Sequence, residues 1–451
     1  MPSKCELFAL RDETGPILYA PLRRLSARLN DAGLSAVYNR LNGLPLSEEE
    51  RDCLRPLEAR GFFEAAELPE PKLQPPVQVT LFPTDGCNLR CRYCYAGAEG
   101  RRHLMDPAVG KAAIDYVADN AARLGYQDFV VGFHGNGEPF TAFPLVKELC
   151  AYAHTAGERT GLKPRLTAAT NGVLDEEKLD WLIAWFDSVN ISFDGLEELQ
   201  NRQRPMADGR GSFPLVDRTL RRLNDSGKPF GIRATLTAES VERLPDVAAF
   251  VLEHYPACDP LHVEPAWEAG RSLLTGERTP EAELFIQKFL EAEELLHGRM
   301  RLVFSAARSD ELGMGFCSVC TNSFVVTAEG LVSSCYEVCE RSDPRAARFI
   351  YGAWKGSDFA FDEARREALH DLRVDHMPYC DDCFCKYHCS GDCAAKLLGL
   401  NPPEQHAGSE RCRITRALTL RQIQRALDEK APDSMPGDEG TTKKEEESID
   451  A

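Results

Sequence analysis

The stretch VQVTLFPTDGCNLRCRYCY, residues 77–95, decides how the chain is read. Its first six residues make an apolar run of strand length, and the loop that follows sets Cys87, Cys91 and Cys94 at CxxxCxxC spacing. Three thiolates on a loop just after a buried strand can hold three irons of a 4Fe-4S cube and leave the fourth iron without a protein ligand. An iron left open in this way can take a substrate. A zinc site is the alternative, with His103 or His134 as a fourth ligand, although structural zinc wants a closed tetrahedron and usually CxxC pairs.

Outward from this stretch, strand-length runs recur as FVVGF (129–133), RLTAAT (165–170), SVNISF (188–193), GIRATLT (231–237) and LHVEP (261–265). Amphipathic helices are expected between them, around 106–124, 175–185, 213–226 and 241–255. Repeated strand and helix crossovers imply an α/β fold with a parallel sheet and helices outside, and six repeats suit a complete or incomplete barrel. Chemistry in such a sheet gathers at the carboxyl ends of the strands. There the sequence places TDGCNLRCRYCY, then HGNGEP, TNG and DG.

Composition narrows the function further. The chain has 451 residues, 43% of them hydrophobic, enough for ordinary packed cores in roughly three domains. Its 53 lysines and arginines stand against 71 acidic residues, and the net charge of −18 opposes a nucleic-acid partner, since counterion release from phosphates needs a cationic face. No apolar run approaches the roughly 18 residues of a membrane span, and MPSKCELFALRDETG has no signal-peptide pattern, so no membrane partner is expected and a cytoplasmic location is. In a reducing compartment, seventeen cysteines point to metal binding or catalysis more than to disulfides. Cys5, Cys53, Cys150 and Cys258 lie scattered and are read as small buried hydrophobes.

Four segments are expected: 1–70, 71–305, 306–428 and an acidic, disordered tail at 429–451. The first alternates briefly at Leu7, Ala9, Ile17 and Tyr19, predicting a hairpin. PLRRLSARLN, with Leu22, Leu25 and Leu29 at helical spacing, predicts a helix. A second helix begins at a capping box, Ser47 with Glu50, and ends at Gly61. The proline-rich ELPEPKLQPP (67–76) is a linker.

CxxxCxxC with an aromatic, Tyr93, before its last cysteine resembles the hallmark of the radical SAM superfamily. That resemblance implies a partial (β/α)6 TIM-type barrel. It also implies a cluster whose open iron chelates S-adenosylmethionine, reductive cleavage of the cofactor's carbon–sulfur bond, and a 5'-deoxyadenosyl radical that removes a hydrogen atom from the substrate. GNGEP looks like the family's glycine-rich segment. Gly135, Asn136 and Gly137 would then approach the methionine end of the cofactor, and Glu138 would accept from its ammonium. Asn171, together with Ser192 and Asp194 of SFDG, falls at strand ends and is expected at the cofactor, the family using the serine for ribose or carboxylate contact; Arg204 is a candidate to pair with that carboxylate, a solvated arginine being the alternative.

The C-terminal cysteines run Cys320, nine residues, Gly330, four residues, Cys335, then Cys380-x2-Cys383-x5-Cys389-x3-Cys393, then Cys412. This resembles the SPASM extension of radical SAM enzymes at every position of its seven-cysteine pattern, and Cys317 adds an eighth thiol. The resemblance implies two auxiliary 4Fe-4S clusters, one on Cys317, Cys320, Cys335 and Cys393, the other on Cys380, Cys383, Cys389 and Cys412. Two four-ligand zinc ribbons are the alternative. Cys339 and Cys385 remain as core residues or as thiols near a cluster.

Residues 1–70 look like the winged-helix recognition element that pairs an edge strand with the leader of a ribosomal precursor peptide; a generic helical cap is the alternative. Maturation of such a peptide through an oxidative crosslink or related modification is the function this favours. Its partners would be a precursor peptide with a leader and an external electron donor such as flavodoxin or ferredoxin. The anaerobic sulfatase maturases resemble the cysteine framework but place an Asp directly after the cysteine matching Cys335, where this chain has Tyr336 and then Glu337. A small-molecule radical SAM dehydrogenase is the third candidate. Glu337, Tyr336 and Glu264 are candidates for a catalytic base.

Overall fold

Local pattern and long-range pairing compete most visibly near the N-terminus. The computed structural model describes residues 3–71, 73–97 and 103–429, so the tail expected at 429–451 lies, past its first residue, outside the described residues. The described residues divide into two compact units, one formed by residues 3–4 with those of 66–419, the other by residues 5–65 with 420–429. Strand β1 (Ser3–Lys4) belongs to the larger unit.

In the smaller unit β2 (Phe8–Asp12), β3 (Gly15–Ala20) and β4 (Leu25–Arg28) form an antiparallel sheet in that order. The predicted PLRRLSARLN helix is therefore wrong. Pro21–Arg23 makes one 3-10 turn, Arg24 takes a left-handed φ of 53°, and the chain returns as β4 with Ala27 opposite Leu18 and Leu25 opposite Ala20. Pairing with β3 gives the backbone of 25–28 its hydrogen-bond partners, a gain that the i, i+3, i+7 leucine spacing cannot report. The helix starts later, as α1 (Asp31–Leu41), where the Asn30 side chain accepts from Gly33 N at 2.7 Å. Helix α2 (Glu48–Ala59) carries the expected capping box, Glu50 N to Ser47 Oγ at 3.1 Å and Ser47 N to Glu50 Oε2 at 2.8 Å. Leu18, Ala27, Val37, Leu54, Leu57 and Phe62 form its core.

The larger unit opens with β1 paired antiparallel to β5 (Ala66–Glu67). Six parallel strands follow where the apolar runs predicted them: β6 (Gln78–Leu81), β7 (Asp128–Phe133), β8 (Lys163–Thr170), β9 (Ser188–Ser192), β10 (Phe230–Leu236) and β11 (Leu261–Pro265). Helices α3 (Pro107–Arg123), α4 (Phe143–Thr160), α5 (Glu176–Trp185), α6 (Glu197–Gln203), α7 (Phe213–Ser226) and α8 (Leu244–His254) lie between them in sequence. Val131, Leu166, Ile191, Ile232 and Val263 alternate to the outer strand face and are at most 1% exposed. The opposite face carries Thr167, Ala169, Asn190 and Arg233 and is more open. A sheet buried on one face and open on the other accounts for strands that alternate instead of running continuously apolar.

The sheet does not stop at six strands. A two-residue β12 (Leu302–Val303) extends it beyond β11, and β13 (Val325–Val326) pairs in parallel with β6 on the other side, Thr80 N donating to Phe324 O at 3.0 Å and Phe82 N to Val326 O at 2.9 Å. Antiparallel β14 (Leu331–Ser333), β15 (Ile350–Trp354) and β16 (Phe359–Phe361) continue from β13, giving eleven strands in one open sheet. Of the scattered cysteines, Cys150 and Cys258 are buried and Cys53 is half-buried. Cys5 is exposed, contrary to expectation, because it stands in the connection before β2 and not on a core-facing strand position. Among the described residues, no helix is long and apolar enough to cross a membrane.

Candidate active site

The CxxxCxxC loop leaves β6 and is held from both sides. Arg90 N donates to Pro205 O at 2.8 Å and Arg92 N to Gln203 O at 2.9 Å. On the other flank Arg271 gives its backbone N–H to Cys94 O and its Nη1 to Cys91 O, each at 2.9 Å. Gly270, at φ +56°, makes that approach possible, since a Cβ there would lie 2.2 Å from Tyr95 O. Burial raises the Cys87 thiol to about 11 and Cys91 to about 12, so these thiols favour their neutral form until a metal takes the proton's place.

GNGEP meets the same loop at the end of β7. Glu138 N donates to Gly86 O at 2.8 Å, and a Cβ on Gly137 would come 2.3 Å from that oxygen, so glycine is required for the two loops to touch. Glu138, 2% exposed, accepts from Thr170 Oγ1 and Asn171 N at 2.7 Å each and from Phe140 N at 3.1 Å. Burial raises its pKa, and three of roughly four lone-pair positions are used, leaving one acceptor direction. Asn136 Oδ1 is buried with no partner among the described residues. Asn171 Nδ2 reaches Asn88 Oδ1 at 2.7 Å and ties the end of β8 to the cysteine loop.

These groups enclose a cavity of ≈ 230 Å³ lined by Cys87, Cys91, Cys94, Tyr93, residues 135–138, Asn171, Ser192 and Arg204. Three thiols, an orphaned amide oxygen, one free carboxylate direction and a glycine cradle fit a 4Fe-4S cluster with S-adenosylmethionine. Asp194 departs from the expectation. It does not line the cavity; its 1% exposed carboxylate accepts from Tyr93 Oη, Gln203 Nε2 (2.7 Å) and Thr235 N (3.0 Å) and lies 3.1 Å from Arg204 Nε. Buried away from the cavity and tied by these donors, Asp194 positions Tyr93 and Arg204, whose guanidinium stacks 5.2 Å from the Tyr93 ring centre.

A second cavity, of ≈ 570 Å³, adjoins the first and shares Tyr95, His134, Arg233, Glu264, Glu337 and Lys396 with it. The three candidate bases differ sharply. Glu264 Oε2 lies 3.0 Å from Arg411 Nη1, and its Oε1 lies 3.0 Å from His262 Nε2 and accepts from Ser305 N at 3.1 Å. Burial opposes its charge, yet Arg411 and His262 hold it well below the usual carboxylate range, which makes Glu264 a poor proton acceptor and corrects its assignment. Tyr336 bonds Thr80 Oγ1 at 2.9 Å, and burial raises its pKa. Glu337 faces both cavities, with Lys396 Nζ 3.2 Å from Oε1 and Arg345 Nη1 3.7 Å from Oε2, which makes no hydrogen bond among the described residues.

The C-terminal thiols form two gatherings. Cys317, Cys335 and Cys393 border the second cavity, and the ionisation of Cys317 and Cys335 is disfavoured first by burial and then by neighbouring thiols. Cys320, assigned with them, is 1% exposed and does not border it. Cys380, Cys383, Cys389 and Cys412 surround a space of ≈ 20 Å³ with Cys385, whose Sγ is 3.4 Å from that of Cys383. Cys339 packs with Phe82 and Val325 in the core. Among the described residues no three His, Cys, Asp or Glu side chains converge on a single-metal site, and His103 is bonded to Asp85 instead of approaching the thiols. A larger cleft of ≈ 770 Å³ beside Arg348 and Arg365 includes none of the thiols, and both arginines donate to backbone carbonyls.

Sequence reasoning missed Lys396, Arg233 and Arg271. Lys396 stands three residues after Cys393, and Arg233 interrupts an apolar strand, signals that each residue carries in plain sight.

Residues 81–251 match the Radical SAM superfamily, and the chain carries a radical SAM domain. Such a domain implies a 4Fe-4S cluster and S-adenosylmethionine. A cysteine-type anaerobic sulfatase-maturating enzyme of Clostridium novyi is 23% identical over 273 residues, covering 56% of this chain and 71% of the relative. The fold is similar to native anSMEcpe with bound AdoMet, with a TM-score of 0.60, 17% identity, and coverage of 78% of this chain and 99% of that one. It is also similar to Streptococcus suis SuiB bound to the precursor peptide SuiA, with a TM-score of 0.54, 14% identity, and coverage of 90% and 99%. The chain spans only 56% and 38% of the length of two further curated relatives.

Proposed function

We propose that the chain is a SPASM-type radical SAM oxidoreductase that matures a ribosomally synthesised precursor peptide, installing a carbon–carbon, thioether or ether crosslink or a related oxidised residue. Two adjoining cavities carry the proposal: one bordered by three thiols and free acceptors, the next roomy enough for a side chain and bordered by Cys317, Cys335 and Cys393. When bound, the cluster and S-adenosylmethionine supply a 5'-deoxyadenosyl radical that removes a hydrogen atom. Cys87, Cys91 and Cys94 would hold the cluster; Asn136 and Glu138 would accept from the cofactor's amino group, Ser192 would serve its ribose, and Arg204, aimed by Asp194, its carboxylate. Glu337 Oε2 would take the proton released as the substrate radical gives its second electron to an auxiliary cluster, with Lys396 3.2 Å from the other oxygen. The barrel wall keeps water from the radical.

Cys317, Cys320, Cys335 and Cys393, and separately Cys380, Cys383, Cys389 and Cys412, hold auxiliary clusters in this proposal. Residues 1–70 serve as the recognition element, with edge strand β2 or β4 open to a leader. A flavodoxin or ferredoxin supplies electrons in the cytoplasm. SuiB, whose fold is similar, binds a precursor peptide.

Anaerobic reconstitution tests the scheme. About twelve iron atoms per chain are expected from eleven thiolates on three cubes; about four would remove the auxiliary clusters. A short peptide encoded beside this chain should lose two hydrogens by mass, and failure to cleave S-adenosylmethionine to 5'-deoxyadenosine would end the proposal. Formylglycine formation is the second reading, favoured by the cavity-facing carboxylate of Glu337 one residue beyond the Asp position of the sulfatase maturases. Conversion of a cysteine-containing sulfatase peptide would establish it.

A further inference from the structure

Arg233 is a charge that the proposed chemistry leaves unused. It stands inside β10, in register with Ser192 of β9 and His262 of β11, and is exposed to the interior, where it borders both cavities. Every other cation of these walls is engaged. Arg204 has Asp194, Arg411 has Glu264 and Asp392, Arg308 has Glu311, Lys396 has Glu337, and Arg271 donates to Cys91 O. Among the described residues Arg233 has no carboxylate at ion-pair distance, and its polar contact is Nη1 to His262 Nδ1 at 3.4 Å.

That contact aims the guanidinium. His262 Nε2 lies 3.0 Å from Glu264 Oε1, which leaves Nδ1 to accept from Arg233, and Glu264 is fixed by Arg411. Apart from that contact no nitrogen of Arg233 has an acceptor among the described residues, and such a planar fork, bordering both cavities, matches a carboxylate bidentately. Thr235, nearer the strand end, borders only the first cavity, so Arg233 lies a layer deeper, toward the second. The cofactor's carboxylate already has Arg204.

We propose that Arg233 docks a carboxylate of the substrate, from an acidic side chain or a chain terminus, and so selects which residue of the peptide faces the cofactor cavity. The inference rests on the peptide reading for the identity of the carboxylate, and on the geometry above for its place.

The test is saturation-transfer NMR on the anaerobically reconstituted full chain with S-adenosylmethionine. The probes are N-acetylglutamate amide, N-acetylglutamine amide, N-acetylglycine and inorganic phosphate. The carboxylate probes are expected to bind and the glutamine analogue not to. Arg233→Gln should weaken binding about tenfold to a hundredfold, as loss of a charge-assisted pair predicts, and Arg233→Lys should restore part of it. The tighter of the two carboxylate probes identifies the source. Equal binding of the glutamate and glutamine probes, or equal binding by wild type and Arg233→Gln of matched iron content, overturns the proposal. Preference for phosphate overturns it, as does loss in Arg233→Gln of the change that S-adenosylmethionine makes in the cluster's EPR spectrum, since the guanidinium would then serve the cofactor. Carboxylate binding without any peptide turnover would sink the maturase reading and leave this inference standing.

Discussion

Cys87, Cys91 and Cys94 border a cavity of ≈ 230 Å³ with Asn136, Glu138 and Asn171 on its wall, whereas Cys380, Cys383, Cys389 and Cys412 border one of ≈ 20 Å³ closed by Val374, Tyr379 and Arg416. In the first place three thiols leave a side open to polar acceptors. In the second, four thiols and a fifth beside them line a space too small for a cofactor or substrate. Thiol number and free volume thus divide the two regions in the same way, one shaped for exchange and the other for retention.

The most severe test is Cys94→Ala, expected to reduce S-adenosylmethionine cleavage to background, while Cys383→Ala retains cleavage and loses product. 5'-Deoxyadenosine and product are measured on the same samples, and equal retention of product by both variants would erase the division. Next in size is Arg411→Met. Arg411 joins Asp392, beside Cys393, to Glu264 on β11, and its removal takes the guanidinium from two buried carboxylates, leaving Glu264 with His262. A loss of about 3–5 kcal/mol is expected in anaerobic denaturation, marking the C-terminal region as a support of the barrel.

A smaller effect follows from His134, brought down to about 4 by burial and then by Arg233. Between about 6.5, its unfolded value, and 4, the unfolded chain binds a proton that the folded chain refuses. Stability is therefore full above that window and falls as pH drops through it. His134→Phe should flatten this slope in denaturation curves taken across the window. The smallest expected change is Cys385→Ser, which should keep the full iron content although its thiol touches that of Cys383; Cys383→Ser should lose about a third of it.

The six barrel strands were legible because each buries alternate apolar residues against helices, a pattern local to the strand. The motifs at their carboxyl ends were legible because glycine and cysteine spacing is read along the chain. What stayed hidden depends on partners distant in sequence. Leu25–Arg28 became β4 only through β3, and Val325–Val326 is too short to announce that it joins β6. Asp194 and Glu264 had the right residue type for cofactor contact or catalysis, but donors from Gln203, Thr235 and Arg411 had already claimed their oxygens. Glu337 Oε2 makes no hydrogen bond among the described residues, because Lys396 approaches the other oxygen and Arg345 Nη1 stops at 3.7 Å.

The pairing of β6 with β13 has a consequence during synthesis. A ribosome delivers β6 and every strand through β12 before Val325 emerges, so the nascent barrel carries its first strand as a raw border, with unclaimed amides at Thr80 and Phe82. Until the last third of the chain arrives, that border is open to adventitious pairing with other nascent chains. A polypeptide cut near residue 305 keeps it for good, which makes aggregation the expected fate of the isolated barrel.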